Sequence, residues 1–221
     1  AEKAKERGDY KSALQYTLGQ LDEDLNSYGE NAKEVIISCG QLGYYYEKLG
    51  EYDKALKYDL KALKIQKKLL SRNDPATAIT YNNIGGVYFK QGKYQDALDN
   101  YSKSLKIQKK VLSKNDPAIA ITYNNIGNVY RKQEKYEEAL DSYEKALKIR
   151  EEVLGKNHHS TATTCSNIGL VYYKQGKYKE ALNELDKTLK IQKKTLGKEH
   201  PSTKNTQSNI TVSYTHLRAH E

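Results

Sequence analysis

The stretch YNNIGGVY at residues 81–88 decides the fold, because close copies of it return at intervals of 42 residues. The copies read YNNIGNVY at 123–130, CSNIGLVY at 165–172 and, more loosely, CGQLGYYY at 39–46. A fixed period of this size is typical of solenoids, in which each repeat is one supersecondary unit stacked on the next. Such stacks present long binding surfaces. The repetition therefore favours a binding protein over an enzyme.

Residues 75–116 form the cleanest repeat and predict two helices. Asp74 is a good N-cap, and Pro75 suits the first helical position. The first helix is predicted over 76–90 and the second from about Tyr94 to about Leu112, with Gly92 suited to a left-handed turn between them. Gly85 lowers helix propensity, so its recurrence predicts close approach by a neighbouring helix. The predicted fold is all-α, built from stacked antiparallel helix pairs.

The same register divides the whole chain. It predicts a partial repeat at 1–31 (mostly its second helix), full repeats at 32–74, 75–116, 117–158 and 159–200, the start of a truncated fifth repeat at 201–211, and a tail outside the repeats at 212–221. We interpret the tail as a translated sequencing-adapter segment, with a divergent capping helix as the alternative, and assign no function to His216 or His220. The half repeats leave the hydrophobic seam open, so we expect self-association. A concentration-independent monomer in light scattering would contradict this expectation.

Composition narrows the class of protein further. No stretch approaches the roughly 18 apolar residues of a membrane span, so no membrane partner is expected. Cys39 and Cys165 occupy the same repeat position and are expected to be buried packing residues, which suits the reducing cytoplasm. His158 and His200 align with Asp74 and Asp116, so they read as helix starts rather than metal ligands. With no catalytic constellation in the sequence, we expect no enzyme activity, metal or cofactor.

The repeat resembles the tetratricopeptide pattern W-x2-L-G-x2-Y…A-x3-F…P. It keeps the Gly and the following Tyr, with Tyr or Cys in place of Trp, and it keeps A-x3-aromatic at Ala97–Tyr101 and Ala139–Tyr143. Asp59 and Leu185 replace the aromatic elsewhere. The longer second helix, with LKIQKK at 63–68, 105–110 and 189–194, resembles the repeats of kinesin light chains. The resemblance implies a right-handed superhelical solenoid that acts as a cytoplasmic protein-interaction scaffold.

In such proteins the stripe beside the packing stripe lines a concave groove that holds an extended peptide. The resemblance implies peptide contacts from amides at Asn82, Asn83, Asn124, Asn125, Asn128, Asn167 and Asn209, from cations at Lys90, Arg131, Lys132 and Lys174, and from rings at Phe89 and Tyr173. An amide both donates and accepts hydrogen bonds, which suits a peptide backbone. The cations favour acidic residues or a terminal carboxylate. The alternative is that Asn82 and Asn83 bond only between neighbouring helices.

The net charge of +9 supports a rival interpretation, a basic solenoid that binds nucleic acid or another polyanion. We rank it below peptide binding, because much of the excess charge lies near the ends of second helices. The helix dipole favours cations there, and such runs are usually solvated. Steep weakening of binding with salt would support the rival. A third interpretation makes the chain one interaction arm of a larger signalling protein or enzyme.

Overall fold

The computed structural model describes residues 9–219, and the side chains of residues 9–218. Within this range it contains ten helices and no strand. The chain divides into two compact units at Leu112 and Ser113. Residues 1–8, which include Gly8 of the predicted partial repeat, and residues 220–221, which include His220, lie outside the described residues.

The described part of unit 1 holds five helices, and each packs against the next. They are α1 (Tyr10–Tyr28), α2 (Lys33–Lys48), α3 (Tyr52–Leu69), α4 (Pro75–Lys90) and α5 (Tyr94–Val111). The first helices of successive repeats, α2 and α4, also touch. The helices predicted for the cleanest repeat are confirmed to within one residue at each end, and Gly92 has the predicted left-handed backbone, with a φ of 74°.

Unit 2 repeats this arrangement. Its helices are α6 (Pro117–Lys132), α7 (Tyr136–Leu154), α8 (His159–Lys174), α9 (Tyr178–Thr195) and α10 (Pro201–Ala219). Consecutive helices pack together, and α8 touches both α6 and α10. The predicted all-α fold of packed helix pairs is therefore confirmed in each unit.

The first helices begin with side-chain caps, as predicted. A carboxylate oxygen of Asp74 accepts a hydrogen bond of 2.8 Å from the backbone N–H of Ala76, and Asp116 does the same for Ala118 at 2.8 Å. His158 Nδ1 accepts from the N–H of Ser160 at 3.1 Å, and His200 Nδ1 accepts from Ser202 at 3.2 Å. These histidines therefore act as helix caps.

The recurring glycine of each first helix lies directly against the second helix of its own repeat. A methyl group at Gly85 would lie 2.7 Å from the Tyr101 ring, and one at Gly127 would lie 2.6 Å from the Tyr143 ring. Leu185 fills the same place against Gly169. In the first full repeat the place is taken by Asp59, which is only 1% exposed. The predicted close approach is confirmed, and it explains why a residue with poor helix propensity recurs mid-helix.

The sequence places 212–221 outside the repeats, whereas the structure continues α10 through this segment to Ala219. Ser213 is fully buried, and Leu217 packs against a cluster that contains Leu182 and Ile210. The later part of α10 thus contributes to the packing of unit 2.

Candidate peptide-binding face

Most of the predicted peptide contacts lie in unit 2, on the first helices of successive repeats. Helix α6 carries Asn124, Asn125, Asn128, Arg131 and Lys132, α8 carries Asn167, Tyr173 and Lys174, and α10 carries Asn209. Because α8 touches α6 and α10, these residues come from three adjacent helices.

Four of these residues line one cleft of about 230 Å³, here called the α6–α8–α10 cleft. They are Arg131, Tyr173, Lys174 and Asn209, and the remaining lining comes from Leu170, Val212 and Ser213. The lining thus contains two cations, a phenol ring and an amide beside aliphatic surface. No carboxylate is among the described residues that line it. This composition suits an acidic group attached to an apolar or aromatic segment.

Arg131 is positioned by a buried tyrosine of the second helix. Its Nε donates to the hydroxyl of Tyr143 at 3.4 Å, and that hydroxyl donates to Asn128 Oδ1 at 2.8 Å. Burial raises the pKa of Tyr143, with Arg131 acting in the opposite direction, so the phenol stays protonated at neutral pH. The oxygen of Asn128 is therefore engaged inside the unit, and Asn128 acts through Tyr143 on the orientation of Arg131.

Two other asparagines join neighbouring repeats. Asn167 Nδ2 on α8 donates to Asn124 Oδ1 on α6 at 3.2 Å. Asn124 is buried, with 9% of its surface exposed, and Asn167 is half-buried. Asn124 and Asn167 match Asn82 and Asn83 in the two following repeats. The alternative raised for Asn82 and Asn83, bonding between neighbouring helices, therefore occurs at this later pair. Of the other α6 residues, Asn125 is half-buried and Lys132 is exposed.

An aromatic cluster adjoins the cleft. The Tyr173 ring lies 5.7 Å from Tyr178 and meets His216 edge-on at 5.6 Å, and His216 stacks on Tyr178 at 5.5 Å. Sequence reasoning missed Val212, Ser213 and His216, because it placed the segment after 211 outside the repeats. Leu170 was within reach of that reasoning, since it lies three residues after Asn167 and four before Lys174 on the same helix face.

Unit 1 carries the remaining predicted contacts on α4. Asn83 and Lys90 are exposed, and Asn82 is half-buried. Phe89 is half-buried and its ring lies 6.0 Å from Tyr94, the same pairing that Tyr173 makes with Tyr178. Both predicted rings thus brace the turn between the helices of their repeat.

Other chemistry has little support in the described part of the chain. Within it, no group of three or more His, Cys, Asp or Glu residues is placed to hold a metal ion. Cys39 and Cys165 are buried free thiols, and burial raises the pKa of each to about 11, so neither is a reactive thiolate at neutral pH. None of the described helices is both long and apolar enough to cross a bilayer.

Comparison with known proteins identifies the repeat. The family model described as tetratricopeptide repeat matches residues 34–110, 118–194 and 160–221. The chain belongs to the tetratricopeptide repeat family. Its predicted resemblance to that family is thereby confirmed. The search of curated protein sequences finds no match.

Solved structures share the tetratricopeptide fold of the chain at low sequence identity. BtubC (BKLC) from P. vanneervenii superposes with a TM-score of 0.81 at 20% identity, over 94% of this chain and 84% of BtubC. A putative kinesin light chain from Podosopora anserina gives a TM-score of 0.73 at 20% identity, over 88% of this chain and 92% of that one. The apo form of RapI gives 0.76 at 22% identity, over 99% and 81%. Likeness at this identity concerns the fold, and it includes the predicted kinesin-light-chain type of repeat.

Family membership gives a coarse function. Tetratricopeptide repeats are generally non-catalytic scaffolds that bind protein or peptide partners. The chemical class of the partner has to be inferred from the side chains of this chain.

Proposed function

We propose that the chain is a non-catalytic scaffold whose α6–α8–α10 cleft binds an extended peptide through an acidic side chain or a terminal carboxylate. The observation that carries this proposal is the grouping of Arg131 and Lys174 with Tyr173 and Asn209 in one cleft whose described lining has no carboxylate. A carboxylate is the peptide group that two such cations select.

The contacts of each side chain indicate its role in binding the peptide. Arg131 is the anchor, because its contact with Tyr143 partly orients the guanidinium and so reduces the side-chain entropy lost when a carboxylate binds. Lys174 is exposed and adds attraction that salt screens. Leu170 and Tyr173 provide surface for an apolar or aromatic neighbour of the acidic group, and Asn209 offers both a donor and an acceptor to peptide backbone. Asn124 and Asn167 hold α6 against α8.

Peptide display on the full chain, followed by fluorescence polarisation with the selected peptides, tests this function. We expect a linear motif with an acidic residue or an acidic C-terminus. The double variant Arg131→Gln and Lys174→Gln should weaken the peptide at least about tenfold, since two charge-assisted contacts are lost. The matched control is Lys148→Gln with Lys190→Gln, which removes equal charge from exposed positions on α7 and α9.

Three results would contradict the proposal. They are no enriched motif from a helical, cooperatively melting protein, equal loss of affinity in the test and control variants, and unchanged affinity when the acidic group of the peptide is replaced by an amide.

A further inference from the structure

A second charged cleft lies within unit 1, and none of the predicted peptide contacts is among the described residues that line it. It has a volume of about 540 Å³ and is bounded by α3, by the loop that joins α3 to α4, by the start of α4 and by α5. Five cations line it around the Tyr81 ring: Lys67, Arg72, Lys103, Lys106 and Lys110. We call it the basic cleft. Its volume is in the range of small-molecule sites.

Tyr81 gathers lysines from two helices. Lys67 Nζ on α3 lies 5.7 Å from the ring centroid, and Lys103 Nζ on α5 lies 5.8 Å from it. A ring face attracts each ammonium group, although exposed contacts of this kind are weak. The half-buried ring therefore partly offsets the cost of placing two ammonium groups around one cleft.

The described residues do not neutralise the charge of the basic cleft. No Asp or Glu is among the described residues that line it, and in the described part of the chain none of its five cations forms an ion pair with a carboxylate. Asp99 lies one helical turn before Lys103, but it accepts a hydrogen bond of 2.9 Å from Gln95 instead.

Two of the corresponding positions carry compensated charge in unit 2. Lys145, which matches Lys103, pairs with Asp141 at 2.5 Å, and Lys187 in the following repeat pairs with Glu184 at 2.7 Å. The position of Lys110 becomes Glu152, which accepts a hydrogen bond from Asn115 at 2.7 Å. The repeat supplies part of the charge, since Lys106 is matched by Lys148 and Lys190, and the lack of compensation at Lys103 and Lys110 adds to it in the basic cleft.

We propose that the basic cleft binds a compact anion that carries two or more phosphate groups. Lysines act as point charges that several phosphate oxygens can share, and their flexible stems adapt to phosphates at different spacings. The five cations line one open cleft instead of following a track along the surface, which favours a small polyphosphate over a nucleic-acid strand. Such a group occurs both as a free polyphosphorylated molecule and as the headgroup of a phosphorylated lipid.

Isothermal titration calorimetry of the full chain with inositol hexakisphosphate tests the site. The variant combines Lys67→Gln, Lys103→Gln and Lys106→Gln, and the matched control combines Lys148→Gln, Lys190→Gln and Lys198→Gln at exposed positions of unit 2. Each lowers the net charge by three. We expect the variant to bind about 100-fold more weakly, since each exposed ion pair contributes a factor of up to about five, and the control to bind within about threefold of the original chain.

Vesicles distinguish the two sources of the phosphates. Co-sedimentation with phosphatidylcholine vesicles containing a phosphatidylinositol bisphosphate, lost in the variant and kept in the control, would assign the site to a lipid headgroup. Binding of the soluble probe alone would assign it to a free polyphosphate. Absence of binding to both probes would overturn the proposal, as would equal weakening in the variant and the control. The α6–α8–α10 cleft is unchanged in the variant, so loss of peptide binding is scored separately.

Discussion

Asp59 is a carboxylic acid in a position built for an uncharged side chain. It lies against Gly43 in the place that Tyr101, Tyr143 and Leu185 take in the other repeats. It is 1% exposed, and within the described residues its Oδ1 has no hydrogen-bond partner. Burial, assisted by the nearby negative charge of Glu47, raises the pKa of Asp59 to about 8. We predict that Asp59→Leu, which copies the residue at 185, stabilises the protein at neutral pH.

The direction and size of the change in the free energy of unfolding follow from proton linkage. An unfolded Asp has a pKa of about 3.9. Between that value and about 8, the folded chain holds a proton that the unfolded chain has released, so the free energy of unfolding falls as pH rises. Below about pH 4 both states are protonated and the penalty disappears. At pH 7 the difference corresponds to about 4 kcal/mol, a large fraction of the stability of a typical domain.

Urea unfolding followed by circular dichroism at pH 4, 5.5, 7 and 8 measures this term. We expect Asp59→Leu to gain about 4 kcal/mol at pH 7 and less than about 1 kcal/mol of that ionisation term at pH 4. Asp59→Asn is the shape-matched control, because it removes the titration and keeps a buried polar group. Leu185→Asp is the reciprocal variant and should introduce the same pH dependence into unit 2. If the difference in stability between the original chain and Asp59→Asn stays constant from pH 4 to 8, Asp59 does not titrate as predicted.

Two further predictions concern packing between helices. Gly127→Ala should destabilise the protein by about 1–3 kcal/mol in urea unfolding, because the new methyl group would lie 2.6 Å from the fully buried Tyr143 ring. Gly86→Ala, where the nearest atom is 3.8 Å away, should instead be neutral or stabilising by up to about 1 kcal/mol, and equal costs at both sites would contradict this account. Asn167→Ala should cost about 1–3 kcal/mol of stability, since it leaves the buried Asn124 Oδ1 without its 3.2 Å donor. It should change peptide affinity less than Arg131→Gln does, and the reverse order in fluorescence polarisation would return Asn167 to the peptide contacts.

Much of the fold could be predicted from the sequence because its determinants are local and repeated. Three such features are the helix cap at Asp74, the left-handed turn at Gly92 and the close helix approach at Gly85. Each depends on a local requirement that few residue types satisfy. Because they return every 42 residues, each copy supports the assignment made for the others. Helical spacing likewise predicted which residues share the face that carries Arg131 and Lys174.

The partners of those residues could not be predicted, because spacing along one helix says nothing about what the next helix places opposite. From the sequence, Asn124 and Asn167 could equally contact a peptide or bond to each other between repeats. The structure shows a hydrogen bond between them. Asn128 is occupied by Tyr143, which lies fifteen residues away on another helix.

The basic cleft could not be predicted from the sequence for the same reason, because its cations come from different helices. Lys67, Lys106 and Lys110 belong to runs that are interpreted, helix by helix, as solvated ends favoured by the dipole. Only the arrangement of α3 and α5 on either side of Tyr81 brings these separate charges into one cleft. Charge on a repeat protein therefore has to be judged across helices: the lysines at 103 and 145 occupy identical repeat positions, yet one pairs with Asp141 and the other faces the cleft. If a phosphate probe distinguishes the basic cleft from unit 2 in the full chain, the difference arises from Glu152 in the place of Lys110 and from the partners of two equivalent carboxylates, since Asp141 pairs with Lys145 whereas Asp99 bonds to Gln95.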